Sequence, residues 1–371
     1  EIQREIQEMD WEVSEAEKSG YDHFMYKEIL EQSEVIERTL SGRLEASSDE
    51  IPIKLNEASK FEKIWIVACG TAYHAGLFGK DLFEKVLGVP VSVELASEFR
   101  YREPIVGKND LGIVISQSGE TMDTIAATEL LKENGSHVLA LVNVVGSSLA
   151  RMADSVFYLH VGPEIGVAST KAYLGMLVSQ LVIAKHWDAE NKLDVSFDEI
   201  AELPKLIDKT MACEGQIKEI SEKIYKKNDI YFIGRGLDYA LAAEGALKLK
   251  EISYLHAEAL AAGELKHGTL ALIEKGTPVI VTASQNHLLD KTTSNVQEVI
   301  ARGAYVIAIG DSESEKLENI SDDYVTLPDS NEILTTVISI IPLQFIAYHV
   351  ANKNGQSIDQ PRNLAKSVTV E

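Results

Sequence analysis

Cysteine is scarce in this chain, with only Cys69 and Cys213 among 371 residues. So few thiols exclude a disulfide framework and a cysteine-rich metal site, and they fit a reducing compartment. Basic residues are also few, because 35 Lys and Arg stand against 58 Asp and Glu, for a formal net charge of −23. A chain this acidic is a poor partner for nucleic acid or an anionic membrane surface. A small anionic substrate remains compatible with it, because distant charges are screened beyond about 8 Å at physiological salt.

Long uninterrupted apolar segments are missing too. The longest apolar run, residues 333–350, contains Pro342, Gln344 and His349, and we expect a buried helix kinked at the proline rather than a membrane span. The first twenty residues are charged throughout and do not resemble a signal peptide. We therefore expect a cytoplasmic protein without a membrane partner.

The chain contains an internal repeat. Its 371 residues, 45% hydrophobic and 25% charged, are enough for two domains. Four short apolar runs recur in the same order in the second half, at an offset of 166 residues for the first two and 168 for the last two. The matched positions are Val67–Ile233, Val114–Ile280, His137–Tyr305 and Val156–Tyr324.

The pattern within each copy predicts the fold class. Nearly continuous Val, Ile and Leu runs alternating with helical segments indicate parallel strands with helices on both faces of the sheet. We predict an α/β protein with two tandem doubly wound parallel-sheet domains, whose ligands bind beyond the carboxyl ends of the strands. The predicted segments are an acidic helical lead (1–57), a first domain (58–197), a helical link (198–227), a second domain (228–360) and a tail (361–371).

One loop at a predicted strand end is rich in hydroxyl groups. The stretch SQSGETMDT begins at Ser116, directly after the run LGIVI, and a helical segment follows it. Backbone N–H groups and the dipole at a helix start attract anions, and three or four hydrogen bonds of about 1.5–3 kcal/mol each suffice for a monophosphate. The alternative is a plain helix N-cap formed by Ser118 or Thr121. Because nucleotide-binding glycine motifs are missing here, a sugar phosphate is the favoured ligand.

A second polar group shares one face of a predicted helix. At about 100° per residue, Glu244, Lys248 and Glu251 lie within about 60° of one another. The alternative is an exposed pair of Glu244 and Lys248, which periodicity alone favours and which would contribute a few tenths of a kcal/mol. The surrounding alanines and glycine, together with the downstream GELKHG, favour a functional site instead.

Five motifs together identify a family resemblance. The chain closely resembles the isomerase half of the glucosamine-6-phosphate synthases (glutamine:fructose-6-phosphate amidotransferases), which is built from two SIS (sugar isomerase) domains. The motifs are ACGTAYHAG (68–76), SQSGETMDT (116–124), EIGVASTKAY (164–173), EGALKLKEISYLHAEALAAGELKHG (244–268) and DQPRNLAKSVTVE (359–371).

The resemblance implies a set of substrate-binding residues. Those expected at the phosphate are Ser116, Gln117, Ser118 and Thr121, and those expected along the sugar are Cys69, Gly70, Thr71, Val167, Ser169 and Ala365. Ala72 departs from the family, since many members have serine there. Neither a cofactor nor a metal is implied.

The resemblance also implies the catalytic residues. Glu251 would move a proton from C1 to C2 of the open-chain sugar, and Lys248 would stabilise the enol oxygen. His267 would open the sugar ring in the neighbouring subunit of a homodimer. Lys366 would form a Schiff base with C2, and a free amine at pH 7 requires desolvation or a neighbouring cation, for which we expect Arg362 or Lys248.

The expected ligands are fructose 6-phosphate, glucosamine 6-phosphate and glucose 6-phosphate. The chain begins at Glu1 without the terminal cysteine of a glutaminase, so we expect an isomerase half whose glutaminase partner belongs to the full-length protein. Two alternatives are a non-catalytic sugar-phosphate sensor and a deglycase acting on a phosphorylated fructosamine. The ending DQPRNLAKSVTVE favours the synthase over both.

Overall fold

The computed structural model describes residues 17–45, 47 and 49–369. The first sixteen residues of the predicted acidic lead and the last two of the predicted tail lie outside this described part. Within it, ten strands form two five-stranded parallel sheets. The strands are β1 (Lys63–Ala68), β2 (Val91–Leu95), β3 (Asp110–Ser116), β4 (His137–Val142), β5 (Ser155–Tyr158), β6 (Asp229–Gly234), β7 (His256–Ala261), β8 (Pro278–Ala283), β9 (Tyr305–Gly310) and β10 (Asp323–Thr326).

Helices precede, cover and separate the two sheets. Those before and within the first sheet are α1 (Phe24–Leu30), α2 (Gln32–Leu40), α3 (Leu55–Ala58), α4 (Gly70–Leu87), α5 (Ala96–Phe99), α6 (Met122–Glu133), α7 (Ser148–Met152) and α8 (Lys171–Trp187). Those that follow are α9 (Phe197–Ala201), α10 (Leu203–Met211), α11 (Glu214–Ile224), α12 (Leu237–Ser253), α13 (Leu289–Ile300), α14 (Glu315–Glu318), α15 (Glu332–Ile338) and α16 (Ile340–Lys353). Short 3-10 turns span Ala262–His267, Thr269–Leu272, Asn286–Leu288 and Ser312–Ser314.

The two sheets have the same topology. The strand order is β2-β1-β3-β4-β5 in the first sheet and, read from the opposite edge, β7-β6-β8-β9-β10 in the second. All neighbouring strands are parallel. This duplication confirms the predicted fold class of two doubly wound domains with a helical lead and a tail. The domain boundaries stay a prediction.

Each sheet contains one strand that the repeat analysis missed. The edge strands β2 and β7 are short and largely half-buried, so their apolar pattern is weak. The sequence of β7, HAEALA, is alanine-rich, and alanine favours helix. It is a strand because it pairs with β6 from Asp229↔His256 to Gly234↔Ala261, so the tertiary context overrides local propensity. The preceding helix α12 ends at Ser253, and the next residue, Tyr254, has a left-handed backbone (φ 62°).

The core is continuous between the two sheets. One hydrophobic cluster joins side chains from the inner faces of both sheets with those of α4, α8, α12 and α16, whereas the outer face of each sheet has a smaller cluster of its own. Helix α4 packs against α12, and α12 packs against α16. The carboxyl ends of the first sheet therefore lie beside a helix from the second domain.

The longest apolar run is buried, as predicted. By length and composition alone, Glu332–Lys353 could cross a membrane, but its most apolar window is completely buried inside the protein. The run is divided at Ser339 into α15 and α16 rather than kinked within one helix. Pro342 lies in the first turn of α16, where the missing N–H costs no helical hydrogen bond.

Candidate active site

A cavity of about 300 Å³ opens at the carboxyl ends of β1 and β3. These strands are neighbours, and the strand order continues from them in opposite directions, to β2 on one side and β4 on the other. Such a switch point is where doubly wound sheets bind ligands. A larger groove of about 530 Å³ runs between α8 and α9, but it lies away from every predicted site residue.

The cavity gathers nearly all the predicted site residues. All ten predicted substrate-binding residues and three of the four predicted catalytic residues line it: Cys69, Gly70, Thr71, Ser116, Gln117, Ser118, Thr121, Val167, Ser169, Ala365, Lys248, Glu251 and Lys366. His267 is exposed, at the end of a 3-10 turn, and it lies outside this cavity.

The hydroxyl loop between β3 and α6 is internally braced. The Ser116 hydroxyl oxygen accepts a hydrogen bond from the N–H of Gly119 at 3.0 Å and lies 3.1 Å from the Thr121 hydroxyl. The Ser118 hydroxyl accepts from the N–H of Glu120, which precedes the helix. Thr121 is the N-cap residue of α6, yet its side chain makes no capping hydrogen bond within the described residues. The plain N-cap alternative is therefore wrong.

The first turn of α4 contributes backbone to the same cavity. Gly70 begins the helix with φ +54°, a conformation that favours glycine, and Cys69 precedes it without a side-chain cap in the described structure. N–H groups at a helix start bind anions. Burial raises the pKa of the Cys69 thiol, so this residue lines the cavity as a neutral group and not as a thiolate nucleophile.

Lys248 lies in a buried network of carboxylates. Its Nζ is 2.6 Å from Glu251 Oε2 and 3.3 Å from Glu244 Oε1, and it donates to the Thr71 hydroxyl at 3.0 Å. The side chains of Lys248 and Glu244 are 1% and 0% exposed, so the alternative of an exposed pair is wrong. Burial alone would lower the pKa of Lys248, but the two carboxylates raise it on balance well above its usual value. The two carboxylates therefore favour the ammonium form of Lys248.

The Lys248 network extends across the domain interface. Glu244 of α12 accepts hydrogen bonds from the Thr71 hydroxyl at 3.0 Å and contacts His74 Nδ1 at 2.8 Å, and both of these partners lie on α4. An unpaired buried carboxylate would be costly, and these contacts satisfy both of its oxygens. The network thus fixes the second-domain side chains relative to the first-domain cavity.

The C-terminal tail passes over the cavity. The Asp359 carboxylate accepts hydrogen bonds from the N–H groups of Phe24 and Met25 at 3.0 and 3.1 Å, which anchors the start of the tail on α1. Further along, Leu364, Ala365, Lys366 and Val368 line the cavity.

The neighbour of the Lys366 amine is an anion. Its Nζ forms a short ion pair with Glu164, whose side chain is fully buried. The predicted cationic neighbour Arg362 is instead stacked on the Tyr254 ring, 4.2 Å from its centroid, and Lys248 is paired with carboxylates of its own. The direct charged contact of Lys366 is therefore Glu164, and not Arg362 or Lys248 as expected.

The structure adds three polar residues that were not predicted for the site. Glu164 contacts Lys366, His74 contacts Glu244, and Glu28 accepts hydrogen bonds from the N–H groups that follow Glu164. Glu164 and His74 lie in motifs that carry the family resemblance, so those motifs were a usable signal. Glu28 lies on α1, far from the site in sequence, and no local pattern pointed to it.

The second copy of the hydroxyl loop is closed by the protein's own side chains. At the offset of 166, Asp238 is the counterpart of Ala72, and its carboxylate accepts from the Ser284 N–H at 3.1 Å and the Ser284 hydroxyl at 2.7 Å. Gln285 Oε1 accepts from the N–H of Leu237 at the start of α12. Burial raises the pKa of Asp238 to about 6. The donors available to a ligand in the first copy are thus occupied in the second.

Comparison with known proteins agrees with this geometry. Residues 58–185 and 223–352 match the family model of the SIS domain. The chain is 48% identical to a glutamine–fructose-6-phosphate aminotransferase (isomerizing) of Clostridium tetani, over all of this chain and 63% of that relative. It is 50% identical to the protein of the same name from Caldanaerobacter subterraneus, over 62% of that relative. The chain thus spans somewhat less than two thirds of these curated relatives.

A solved structure supports the same similarity. The C-terminal domain of glucosamine-fructose-6-phosphate aminotransferase from Francisella tularensis is 41% identical, with a TM-score of 0.86 over 93% of this chain and all of that domain. These similarities confirm the resemblance drawn from the five motifs.

Proposed function

The chain belongs to the SIS-domain family, and from that premise we propose that it is the isomerase portion of an enzyme that makes glucosamine 6-phosphate from fructose 6-phosphate. By itself the chain isomerises fructose 6-phosphate to glucose 6-phosphate. With ammonia, which a glutaminase domain of the full-length protein releases from glutamine, it forms the amino sugar that begins hexosamine synthesis. The observation that carries this proposal is the single cavity that joins a hydroxyl loop, the ion pair of the buried Lys248 with the partly exposed Glu251, and Lys366.

The phosphate of the substrate binds in the loop from Ser116 to Thr121. Hydroxyl groups of the loop supply donors there without adding charge, and the dipole at the start of α6 favours an anion. This arrangement suits a very acidic protein, because the anion site is built from local dipoles. The sugar then extends along Cys69, Gly70 and Thr71 toward Glu251.

The proton transfer requires a base and a cation at adjacent atoms. Glu251 takes the proton from C1 and returns it to C2, while the oxygen of the enol intermediate carries developing negative charge. Lys248 stabilises that charge, because its neighbouring carboxylates keep it protonated. The family resemblance assigns the Schiff-base amine to Lys366, which lines the same cavity, and its proton can pass to the neighbouring Glu164.

His267 opens the ring of the substrate bound in the neighbouring subunit of a homodimer. Its exposure and its position outside the cavity fit a residue that acts on a second copy of the chain. We place the enzyme in the cytoplasm, in keeping with its two unpaired cysteines.

The test is a coupled assay of the purified chain with fructose 6-phosphate as substrate and glucose 6-phosphate as product. We expect turnover by the parent chain, and a loss of at least about a hundredfold in Glu251→Gln, the range typical of a removed general base. Glu258→Gln is the matched control, because Glu258 is half-buried in β7 and does not line the cavity. Its activity should equal that of the parent.

The same assay separates the alternatives. Binding of fructose 6-phosphate without any turnover would support a sensor and contradict the proposed function. Release of an amine from a phosphorylated fructosamine, with no isomerisation of fructose 6-phosphate, would instead support a deglycase.

A further inference from the structure

Glu28 holds the chain segment that carries Glu164. Glu28 lies on α1, outside both segments matched by the SIS model, and is 2% exposed. Its Oε1 accepts hydrogen bonds from the N–H groups of Ile165 at 2.5 Å and Gly166 at 3.1 Å. A Cβ atom at Gly166 would lie 2.9 Å from Glu28 Oε2, so glycine permits this close approach. The carboxyl group of Glu28 therefore sets the path of the backbone directly after Glu164.

The same backbone segment is tied to the tail. The N–H of Val167, the next residue, donates to the carbonyl oxygen of Asp359 at 3.1 Å, and the Asp359 carboxylate in turn accepts from the start of α1. Helix α1, the segment 164–167 and the tail thus form one hydrogen-bonded unit around the ion pair of Glu164 and Lys366.

The carboxyl groups of Glu164 and Glu28 in this unit have unequal partners. Glu164 accepts from the N–H groups of Thr170 and Ala172 at 2.9 and 3.0 Å, from the Ser169 hydroxyl at 2.9 Å, and from Lys366. Among the described residues, by contrast, no donor reaches Glu28 Oε2, although this oxygen is buried.

Three charged groups act on the Glu28 carboxyl, and two backbone N–H groups bond to it. The charges are the Glu164 carboxylate on the loop, the Lys366 ammonium on the tail and the Lys171 ammonium on α8, and the N–H groups are those of Ile165 and Gly166. Lys171 is engaged elsewhere, since its Nζ lies 2.7 Å from Glu31 Oε2. Lys366 and Glu164 are therefore the partners whose protonation responds most directly to Glu28.

We propose that Glu28 is a positioning residue for Lys366: it holds Glu164 against the amine, and its negative charge promotes transfer of the amine proton to Glu164. This inference rests on the proposed function, because Lys366 acts as a nucleophile only there. Glu28 itself does not touch the substrate.

The proton balance is complete within the site. The Lys366 ammonium gives one proton to the Glu164 carboxylate, and the free amine adds to the C2 carbonyl of the sugar. The carbinolamine then loses its hydroxyl group as water, taking back the proton held by Glu164. Ammonium and carbonyl thus become a protonated imine and one water molecule, without an external acid or base.

The charges around Glu28 determine the direction of its effect. Burial and then repulsion by the Glu164 carboxylate raise the pKa of Glu28 to about 7, and the charge of Lys366 opposes this rise. Lys366 and the N–H groups of Ala172 and Thr170 lower the pKa of Glu164, and an ionised Glu28, bonded to the backbone directly after Glu164, opposes that lowering by charge repulsion. Its ionisation favours the neutral amine and the protonated acid, so imine formation should rise as Glu28 loses its proton.

The test compares the pH dependence of imine formation in Glu28→Gln and in the parent chain. Both are incubated with fructose 6-phosphate and cyanoborohydride between pH 5.5 and 8.5, and the adduct on Lys366 is quantified by peptide mass mapping. We expect the two chains to be trapped at similar rates at pH 5.5. At pH 8.5 the parent should be trapped about three- to tenfold faster than Glu28→Gln, because the loss of one charge interaction changes a pKa by up to about one unit. Glutamine keeps an oxygen for the N–H groups of Ile165 and Gly166, so a purely structural role predicts no pH-dependent difference.

Two further variants make the result decisive. Glu34→Gln removes an exposed carboxylate from α2 and should follow the parent at every pH. Glu28→Asp retains the charge, so its trapping rate relative to that of Glu28→Gln should rise with pH as the parent's does, even if its overall trapping rate is lower than the parent's.

The outcomes separate this inference from the proposed function. No adduct on Lys366 in the parent chain would overturn both. An adduct in the parent whose ratio to Glu28→Gln stays constant with pH would overturn the role of Glu28 alone.

Discussion

The backbone N–H of Met122 donates a hydrogen bond of 3.2 Å to the carbonyl oxygen of Val368. Met122 is the first residue of α6, directly after the hydroxyl loop, and Val368 lies two residues beyond Lys366. This bond joins the proposed phosphate site to the proposed Schiff-base segment, which lie at distant points in the sequence. We therefore expect that a substitution in either segment will alter the position of the other.

The hydroxyl loop offers a direct test of phosphate recognition. Ser118→Ala and Thr121→Ala should each weaken binding of fructose 6-phosphate by about 1–3 kcal/mol, the usual loss for one hydrogen bond to a charged group. Calorimetric titration of the catalytically inactive Glu251→Gln background would measure this without turnover. Ser284→Ala is the matched control, because Ser284 is the counterpart of Ser118 at the offset of 166. It should leave the affinity for fructose 6-phosphate unchanged, since the Ser284 hydroxyl donates to Asp238. Equal effects of all three substitutions would contradict the assignment.

The role of Lys366 can be tested by covalent trapping. Borohydride reduction with fructose 6-phosphate should attach one sugar to Lys366, and Lys366→Arg should prevent labelling because a guanidinium cannot form the imine. Lys353→Arg, at an exposed lysine on α16, should label normally. Labelling that persists in Lys366→Arg would show that the Schiff base forms elsewhere.

The proposed action of His267 across a dimer interface predicts complementation. Chains carrying His267→Asn and chains carrying Lys366→Arg should each be inactive in forming amino sugar from ammonia. Mixed dimers contain one site with both an intact His267 and an intact Lys366, so mixing should restore activity to about a quarter of the sites in a symmetric dimer. If the mixture stays inactive while exchange of subunits is verified by mass spectrometry, His267 acts within its own chain.

Glu28 should also affect how the free energy of unfolding depends on pH. Its pKa is about 7 in the folded protein against 4.5 for an unperturbed glutamate. Between these values the folded state binds more protons than the unfolded state, so the parent chain loses stability as pH rises through this window. Glu28→Gln lacks this loss, and its unfolding free energy relative to the parent should increase by up to about 3 kcal/mol from pH 4.5 to pH 7 and then level off.

Chemical denaturation across this pH range would measure the effect. Glu34→Gln should show a constant difference from the parent, since Glu34 is exposed. A constant difference for Glu28→Gln as well would indicate an ordinary pKa for Glu28 in the folded protein.

The sequence by itself determined the features that depend on local periodicity. Short runs of branched apolar residues located four strands in each copy, because such runs are stable only when buried on both faces of a sheet. The hydroxyl residues directly after the run that became β3 had to lie at the end of that strand. Helical geometry placed Glu244, Lys248 and Glu251 on one face of α12 regardless of what packs against it.

Only the tertiary structure decided how those features are used. Lys248 is buried against carboxylates that favour its ammonium form because α4 of the other domain covers α12. Asp238 closed the second loop, although the two loops occupy equivalent positions in the repeat. Glu28, Glu164 and Lys366 meet because Asp359 anchors the tail on α1, with Phe24 and Asp359 335 residues apart in the chain. Burial and charge proximity depend on such long-range contacts, and local pattern carries no information about them.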